Sequence, residues 1–235
     1  MKKHLLPTQR SAFSLIELIV VISIIAIIAT FTVPAATTIL RGSAITQASQ
    51  TLTDQISLAR QLALSRNRAV EVRFYAYGDP EAPGEDSTTR PSTTTPVATS
   101  NPKAQFRAIQ LFEVVESGVA VPLDKPQRLP ISVVIEPNVT FSTLIQTPAK
   151  APATTDPDLP RGVGKNYVYA SFRFQQDGST NLAAGSTWFV SIHNLTDIPT
   201  PAGTKMENAK GPINFFTLQI DPVSGAIKGF RPTAA

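Results

Sequence analysis

The apolar run at residues 13–36 constrains this chain more than any other feature. Its only formal charge is Glu17. As a helix rising about 1.5 Å per residue it reaches roughly 36 Å, enough to cross a hydrocarbon core of ~30 Å. The cations Lys2, Lys3 and Arg10 precede it. Because positive flanks stay in the cytoplasm, we expect a single-pass inner-membrane helix with a cytoplasmic N-terminus and an extracytoplasmic remainder.

Two simpler interpretations of this run are a secretory signal peptide and a plain membrane anchor. A signal peptide has an apolar core of about 7–15 residues and a cleavage site of small residues. The stretch "VPAA" at 33–36 resembles such a site, but the core ahead of it is too long. A plain anchor fits the length. Neither explains Glu17, because an ionisable group in an apolar helix normally has a partner or stays near an interface.

The stretch "SAFSLIEL" at residues 11–18 resembles the type IV prepilin signature. The resemblance implies that residues 1–12 are a leader, which a prepilin peptidase/N-methyltransferase removes between Ala12 and Phe13. It also implies N-methylation of Phe13 and an assembly role for Glu17. Pro34 matches a proline that the family often carries in this helix. Ala12 departs from the family pattern, which usually has glycine before the cut.

The apolar periodicity continues beyond this run. Small and aliphatic residues recur at three- and four-residue spacing, namely Ile45, Ala48, Leu52, Ile56, Ala59 and Leu62. This pattern predicts an amphipathic helix half over 37–67 that covers a sheet with one stripe and stops at Asn67. Pro34 removes a helical hydrogen bond and Gly42 lowers helix propensity, so we expect a bend or local melting between them.

Residues 68–235 read as an antiparallel β domain, which makes the predicted fold class α+β. The stretch 69–77 alternates apolar and polar residues and predicts a strand with one solvent-facing side, and 106–115 and 131–137 predict further strands. Asp177-Gly178 predicts a hairpin between "YVYASFRF" and "TWFVSIHNL". The stretch "NFFTLQIDPVSGAIKGF" predicts two strands around a Ser-Gly turn.

Proline-rich loops are predicted at 78–103, 147–164 and 197–212. The first holds five prolines and no Leu, Ile or Phe. A segment with so few large apolar side chains has little to bury, so we expect a mobile insertion that the fold does not need. The strands on either side of it, 69–77 and 106–115, are expected to pair as a hairpin.

This order of elements resembles the GspH/FimT type of minor pseudopilin. The stretches "ARQLALSRNRAVEVRFY", "FRFQQDGSTNL" and "NFFTLQIDPVSG" are most similar to the pilin-like group called Verru_Chthon cassette protein D. The resemblance implies a subunit of a type IV pilus-like or type II secretion-like filament, with other pilin subunits and the inner membrane as partners. It leaves open which machine the subunit serves. The alternative function is a membrane-tethered or secreted β-domain binding protein.

Composition argues against several other classes. Removing Lys2, Lys3 and Arg10 from the 21 Lys+Arg leaves 18 against 17 Asp+Glu, so no nucleic-acid partner is predicted. With no cysteine there is no disulfide and no thiolate metal site. A catalytic Ser/His/Asp set would have to combine His193 with Ser191 and Asp197, which this spacing alone does not bring together. We therefore predict a structural histidine and no catalytic residue, metal or cofactor.

Overall fold

A computed structural model describes residues 14–93, 104–145, 149–197 and 214–231. The chain divides into two compact units, with the boundary between Leu40 and Arg41. The predicted cleavage position, Ala12 and Phe13, lies outside the described residues. So do 94–103, 146–148, most of the loop predicted at 197–212, and the C-terminal residues 232–235.

One helix, α1 (Leu15–Arg66), contributes to both units. Its backbone is helical without interruption, including positions 34 to 42, where local melting was expected. Within the described parts of the chain, no helical stretch combines the length and the apolar character that crossing a membrane requires.

The end of α1 has a defined cap. Asn67 adopts a left-handed backbone conformation with φ of 51°. The amide of Arg68 donates a hydrogen bond to the carbonyl of Ala63 at 3.3 Å, which closes the last turn in a Schellman-type arrangement. Asparagine tolerates this conformation better than most residues because its short polar side chain stabilises it locally. The predicted stop at Asn67 is confirmed.

The stripe on the second half of α1 packs into the core of the second unit. Ile45, Ala48, Leu52, Ile56 and Ala59 are fully buried there against side chains of the sheet. The final position differs slightly from the prediction, since Leu62 is only partly buried and Ala63 is buried beside it. The helix therefore covers one face of the sheet, as expected of an α+β fold.

The sheet has nine strands, and every pairing in it is antiparallel among the described residues. The strands are β1 (Val70–Tyr77), β2 (Gln105–Val114), β3 (Ala120–Pro122), β4 (Gln127–Arg128), β5 (Val133–Ile135), β6 (Tyr167–Phe174), β7 (Trp188–Asn194), β8 (Phe215–Ile220) and β9 (Ile227–Phe230). Their order in the sheet is β6-β1-β2-β5-β7-β8-β9, with β3 and β4 also paired to β2.

Two of the predicted hairpins are confirmed. Strands β1 and β2 pair across the long connection, with Val72 opposite Leu111. Strands β8 and β9 pair around the Ser-Gly turn, with Ile220 opposite Ile227. The strand predicted at 131–137 is shorter than expected, since β5 covers only Val133–Ile135.

The predicted hairpin between β6 and β7 is wrong. The chain does turn at Asp177-Gly178, where Gly178 has φ of 81° and its amide donates to the carbonyl of Gln175 at 2.9 Å. The returning chain makes only an isolated bridge, between Phe174 and Thr180. Strand β6 pairs instead with β1, and β7 pairs with β5 and β8. Long-range pairing with β1 therefore prevails over the local turn signal.

The prediction that β1 has a solvent-facing side is also wrong. Its outward residues, Glu71, Arg73, Tyr75 and Tyr77, are all buried. They are covered by residues of the proline-rich connections together with strands β2 and β6, and this second core contains Phe112, Leu159, Val163, Tyr167 and Tyr169. The sheet is thus packed on both faces in this region.

Part of the segment 78–93 packs on the sheet, contrary to the expectation that it has little to bury. Asp79 is fully buried and Ala82 is nearly so. Glu85 forms an ion pair with Arg107, which projects from β2. The absence of Leu, Ile and Phe led to the wrong expectation, because charged side chains rather than apolar ones hold this segment on the sheet.

Candidate functional site

The first described residues of the chain adjoin the predicted processing position. The amide of Leu18 donates to the carbonyl of Ser14 at 3.2 Å, so helical bonding starts directly after position 13. Glu17 lies in the first turn of α1 and is exposed to solvent. A carboxylate at this end of a helix interacts favourably with the partial positive charge of the free amides. Its position fits a role outside the folded β domain.

The helix that follows carries an exposed apolar surface, which we define as the large apolar side chains between residues 15 and 28. Their exposure ranges from 44% at Val21 to 76% at Leu15. The members are Leu15, Ile16, Leu18, Ile19, Val20, Val21, Ile22, Ile24, Ile25, Ile27 and Ile28. A helix that is apolar all round is normally buried in lipid or among other helices.

The few polar side chains on this segment are satisfied locally. Ser23 donates to the carbonyl of Ile19, and Thr30 donates to that of Ala26, both at 2.8 Å. Hydroxyls bonded in this way add little polarity to the helix surface. Glu17, the one formal charge in the sequence from 13 to 36, is then the main polar group of this segment.

The residues predicted to bend the helix lie further along it. Pro34 falls within the helical backbone, and its side chain is outside the described part of the structure. Gly42 lies in α1 with open space where a Cβ would be. Close packing therefore does not require glycine at position 42, and the bend stays a prediction.

The histidine, serine and aspartate considered for catalysis do not form a triad. His193 is fully buried, and its Nε2 lies 3.0 Å from Oε2 of Glu136 while its Nδ1 lies 2.7 Å from the carbonyl of Asn194. Ser191 instead shares a 2.7 Å hydrogen bond with Thr217. The predicted structural histidine is confirmed. Sequence reasoning missed Glu136, which lies 57 positions from His193 and carries no local signal.

Sequence reasoning also missed a first buried ion cluster, which surrounds Arg73. Arg73 pairs with Glu71 at 2.6 Å and with Asp156 at 2.7 Å, while Arg173 pairs with the other oxygen of Glu71 at 2.7 Å. Burial alone would lower the pKa of Arg73, but the hydrogen bond to Asp156 and the charge of Glu71 outweigh it, so the pKa is raised. The cluster holds the segment around Asp156 on β1.

A second cluster surrounds Arg107 on β2. Its guanidinium pairs with Glu85 and lies 3.7 Å from Asp79, which also pairs with Arg128. Burial raises the pKa of Glu85, while the amide of Asp79 and the charge of Arg107 oppose that rise. Opposite charges alternate here, as an internal ion network requires. No group of three or more metal-ligating side chains occurs within the described ranges.

The comparisons with known proteins point to the N-terminus. Residues 8–33 match the family model described as the prokaryotic N-terminal methylation motif. Curated protein sequences give no match. Among solved structures, the minor pseudopilin EpsH from the Type 2 Secretion System of Vibrio cholerae is similar at 9% identity and a TM-score of 0.39, over 81% of this chain and 98% of that one. Structural similarity at this level assigns no function. The methylation motif nevertheless contains Ala12, Phe13 and Glu17 within its matched range.

Proposed function

We propose that this chain is a minor pilin or pseudopilin, a structural subunit of a type IV pilus-like or type II secretion-like envelope filament. The single observation that carries the proposal is the methylation motif at 8–33, whose matched range contains the whole exposed apolar surface. A prepilin peptidase/N-methyltransferase cuts between Ala12 and Phe13 and methylates the new amine. The apolar helix then holds the subunit in the inner membrane, with the β domain outside.

In this proposal, cleavage creates a cation that the Glu17 carboxylate can pair with. Cutting before Phe13 creates an α-amino group, whose ordinary pKa of about 7.7–8.0 leaves much of it cationic near neutral pH. Glu17, four positions along, is the carboxylate available in that apolar segment. In apolar surroundings, a charge without its partner is strongly destabilised. Pairing between Glu17 and the amine of a neighbouring subunit would therefore favour one axial register during assembly.

The test is the exchange Glu17→Ala in the full chain, made in cells that hold the other pilin subunits. We expect co-purification of those subunits to fall about tenfold or more, which corresponds to ~1.4 kcal/mol of lost association. The thermal unfolding midpoint of the β domain should not change, because Glu17 is exposed and lies outside the unit that contains the domain.

The matched control is Glu116→Ala, since the Glu116 side chain is 96% exposed on the β domain. It removes one carboxylate from the surface and should leave both readouts unchanged. Loss of co-purification and of thermal stability to the same extent in Glu17→Ala would contradict an assembly role for Glu17.

A further inference from the structure

The face of the sheet that points away from helix α1 carries a pocket of about 190 Å³ over strands β5, β7 and β8. We call it the β7 pocket. Alternate β7 residues, Val190 and Ile192, pack into the core on the helix side. The residues between them, Phe189, Ser191 and His193, therefore line the pocket on the opposite face.

Three phenylalanines form the walls of the β7 pocket. Phe189 and Phe215 come from β7 and β8, and Phe141 comes from the turn that follows β5. All three residues line the pocket and are partly exposed. Aromatic walls of this kind favour a flat ring, which can stack on them in offset or edge-to-face geometry.

The wall formed by Phe141 is fixed in place before any ligand arrives. The amide of Phe141 donates to the carbonyl of Asn138 at 2.9 Å. On either side of β7 residue Val190, Ser142 Oγ accepts from the amide of Ser191 at 2.9 Å and Thr143 Oγ1 accepts from that of Phe189 at 2.8 Å. Side-chain hydroxyls thus continue the ladder where β5 ends. A pocket held in this way needs little ordering on binding.

The two ionisable groups on the floor of the pocket, His193 and Glu136, together have no net charge. The carbonyl of Asn194 only accepts hydrogen bonds, so Nδ1 of His193 carries a proton. Nε2 faces the carboxyl group of Glu136, which means that either a doubly protonated ring meets a carboxylate or a neutral ring meets a carboxylic acid. The pair has no net charge in either case. Among the described residues that line the pocket, no ionisable side chain besides this pair is present, so a charged ligand would lack a counter-charge there, and burying it unpaired is unfavourable.

Three hydroxyl residues complete the polar lining of the pocket, namely Thr140, Ser191 and Thr217, and the last two form a pair on its floor. Ser191 and Thr217 share one hydrogen bond of 2.7 Å. Within the described ranges neither hydroxyl has another partner, so the pair keeps one O–H to donate and lone pairs to accept. A single ligand hydroxyl, which also donates and accepts, matches it.

We propose that the β7 pocket binds a neutral aromatic ring that carries a hydroxyl, with the ring between the phenylalanines and the hydroxyl on the Ser191–Thr217 pair. The size agrees, because a cavity of about 150 Å³ in another protein holds benzene. Such a ring could be a free phenol or the tyrosine side chain of a partner protein. The inference does not depend on the proposed function.

The test uses the full chain in one detergent and ligand-observed NMR titrations with three probes: p-cresol, toluene and 4-methylbenzylamine. We expect p-cresol to bind best and toluene to bind about fivefold more weakly, as the loss of one hydrogen bond predicts. The cationic amine should bind more weakly than p-cresol. In the double variant Ser191→Ala with Thr217→Val, which removes both hydroxyls, p-cresol should fall to the level of toluene, while toluene binding stays unchanged. Thr51→Val on helix α1 is the matched control.

Two further measurements complete the test. Phe141→Ala should weaken p-cresol and toluene alike. If the double variant does not fold, Thr217→Val alone serves, and it should narrow the difference in affinity between p-cresol and toluene. A tyrosine-containing tripeptide that binds at least as well as p-cresol would identify a protein partner, whereas binding of p-cresol alone would identify a free phenol. Equal affinity for p-cresol and toluene, tighter binding of the amine, or binding unaffected by Phe141→Ala would overturn the proposal.

Discussion

Arg107 is the residue on which the packing of segment 78–93 depends most directly. Its side chain is fully buried and faces two carboxylates of that segment, those of Asp79 and Glu85. Asp79 is itself fully buried and anchors Arg128 as well. Removing one member of such a cluster leaves the others charged and without compensation, which destabilises a folded protein more than the intact cluster stabilises it.

We predict that Arg107→Met lowers the free energy of unfolding by about 3–5 kcal/mol, although methionine nearly fills the same volume. Urea unfolding of the purified full chain measures this loss. Arg90→Met is the matched control, because Arg90 lies in the same segment and is exposed. A loss below about 1 kcal/mol for Arg107→Met would show that the cluster does not hold the segment in place.

Residue patterns predicted the core that faces the helix, but they did not predict that the charged residues of the strands are buried and paired. Alternation in β1 correctly separates Val70, Val72 and Phe74 from Glu71 and Arg73. It does not reveal what covers the second group, because the partner carboxylate Asp156 lies 83 positions from Arg73. The charged residues could have been interpreted only in pairs, because acidic residues of the connections complement arginines on the strands.

Among the elements, the connection between β1 and β2 gives the clearest test. Replacing residues 80–102 with a short Gly-Ser turn removes Glu85 and Ala82 from the sheet. Loop closure changes by only about 0.6 kcal/mol per doubling of length, so entropy alone would make the replacement mild. We predict instead a fall in the thermal midpoint well beyond ~2–4 °C, the shift that 1 kcal/mol produces in a domain of this size.

The matched variant keeps 78–93 and shortens only 94–103. The sequence of that part is rich in Thr and Pro and has no large apolar residue besides Val97. We expect its midpoint to stay within a few degrees of the parent. If thermal unfolding gave midpoints close to that of the parent for both variants, the expectation that the whole connection is dispensable would be restored.

Elements joined by local signals were predictable, and those joined at long range were not. The cap at Asn67 and the β8–β9 turn depend on residues that are neighbours in sequence. The position of β6 depends on β1, which lies almost a hundred residues earlier. The Asp-Gly turn at 177–178 specifies a chain reversal without specifying which strand pairs next. This is why β6 and β7 were assigned to one hairpin.

For the molecule as a whole, the four tyrosines report on folding. Tyr75, Tyr77, Tyr167 and Tyr169 are the only tyrosines in the sequence, and all are buried together on the outer face of the sheet. Burial raises the pKa of each phenol above its ordinary value of 10.0. The folded state therefore favours the neutral phenols over a wider pH range than the unfolded state does.

The sign of the pH dependence follows from that difference. Below about pH 10 the tyrosines are neutral in both states and their contribution to stability is complete. Above it, the unfolded chain loses protons first, so stability falls as the pH rises toward the folded-state pKa values. We predict that tyrosinate absorbance appears in one cooperative step together with loss of the native circular dichroism. A gradual rise centred near pH 10 with the fold intact would contradict this burial.

The two units differ in how their apolar side chains are packed. The β domain is packed on both faces and folds around the second half of α1. The first unit contains the exposed apolar surface, which the described residues leave without a covering layer. The sequence predicted this surface and Glu17 directly, because composition along a single helix is local information. In the proposed function, the helices of neighbouring filament subunits cover this surface.

The most direct test of the central proposal is the mass of the mature chain. Protein extracted from the cell envelope should begin at Phe13, without residues 1–12, and should carry one methyl group on its terminal amine. Intact-mass and N-terminal peptide mass spectrometry measure both features on the same sample. Recovery of the unprocessed chain from Met1, or of a chain that starts near Ala36, would contradict the assignment as a prepilin-type subunit.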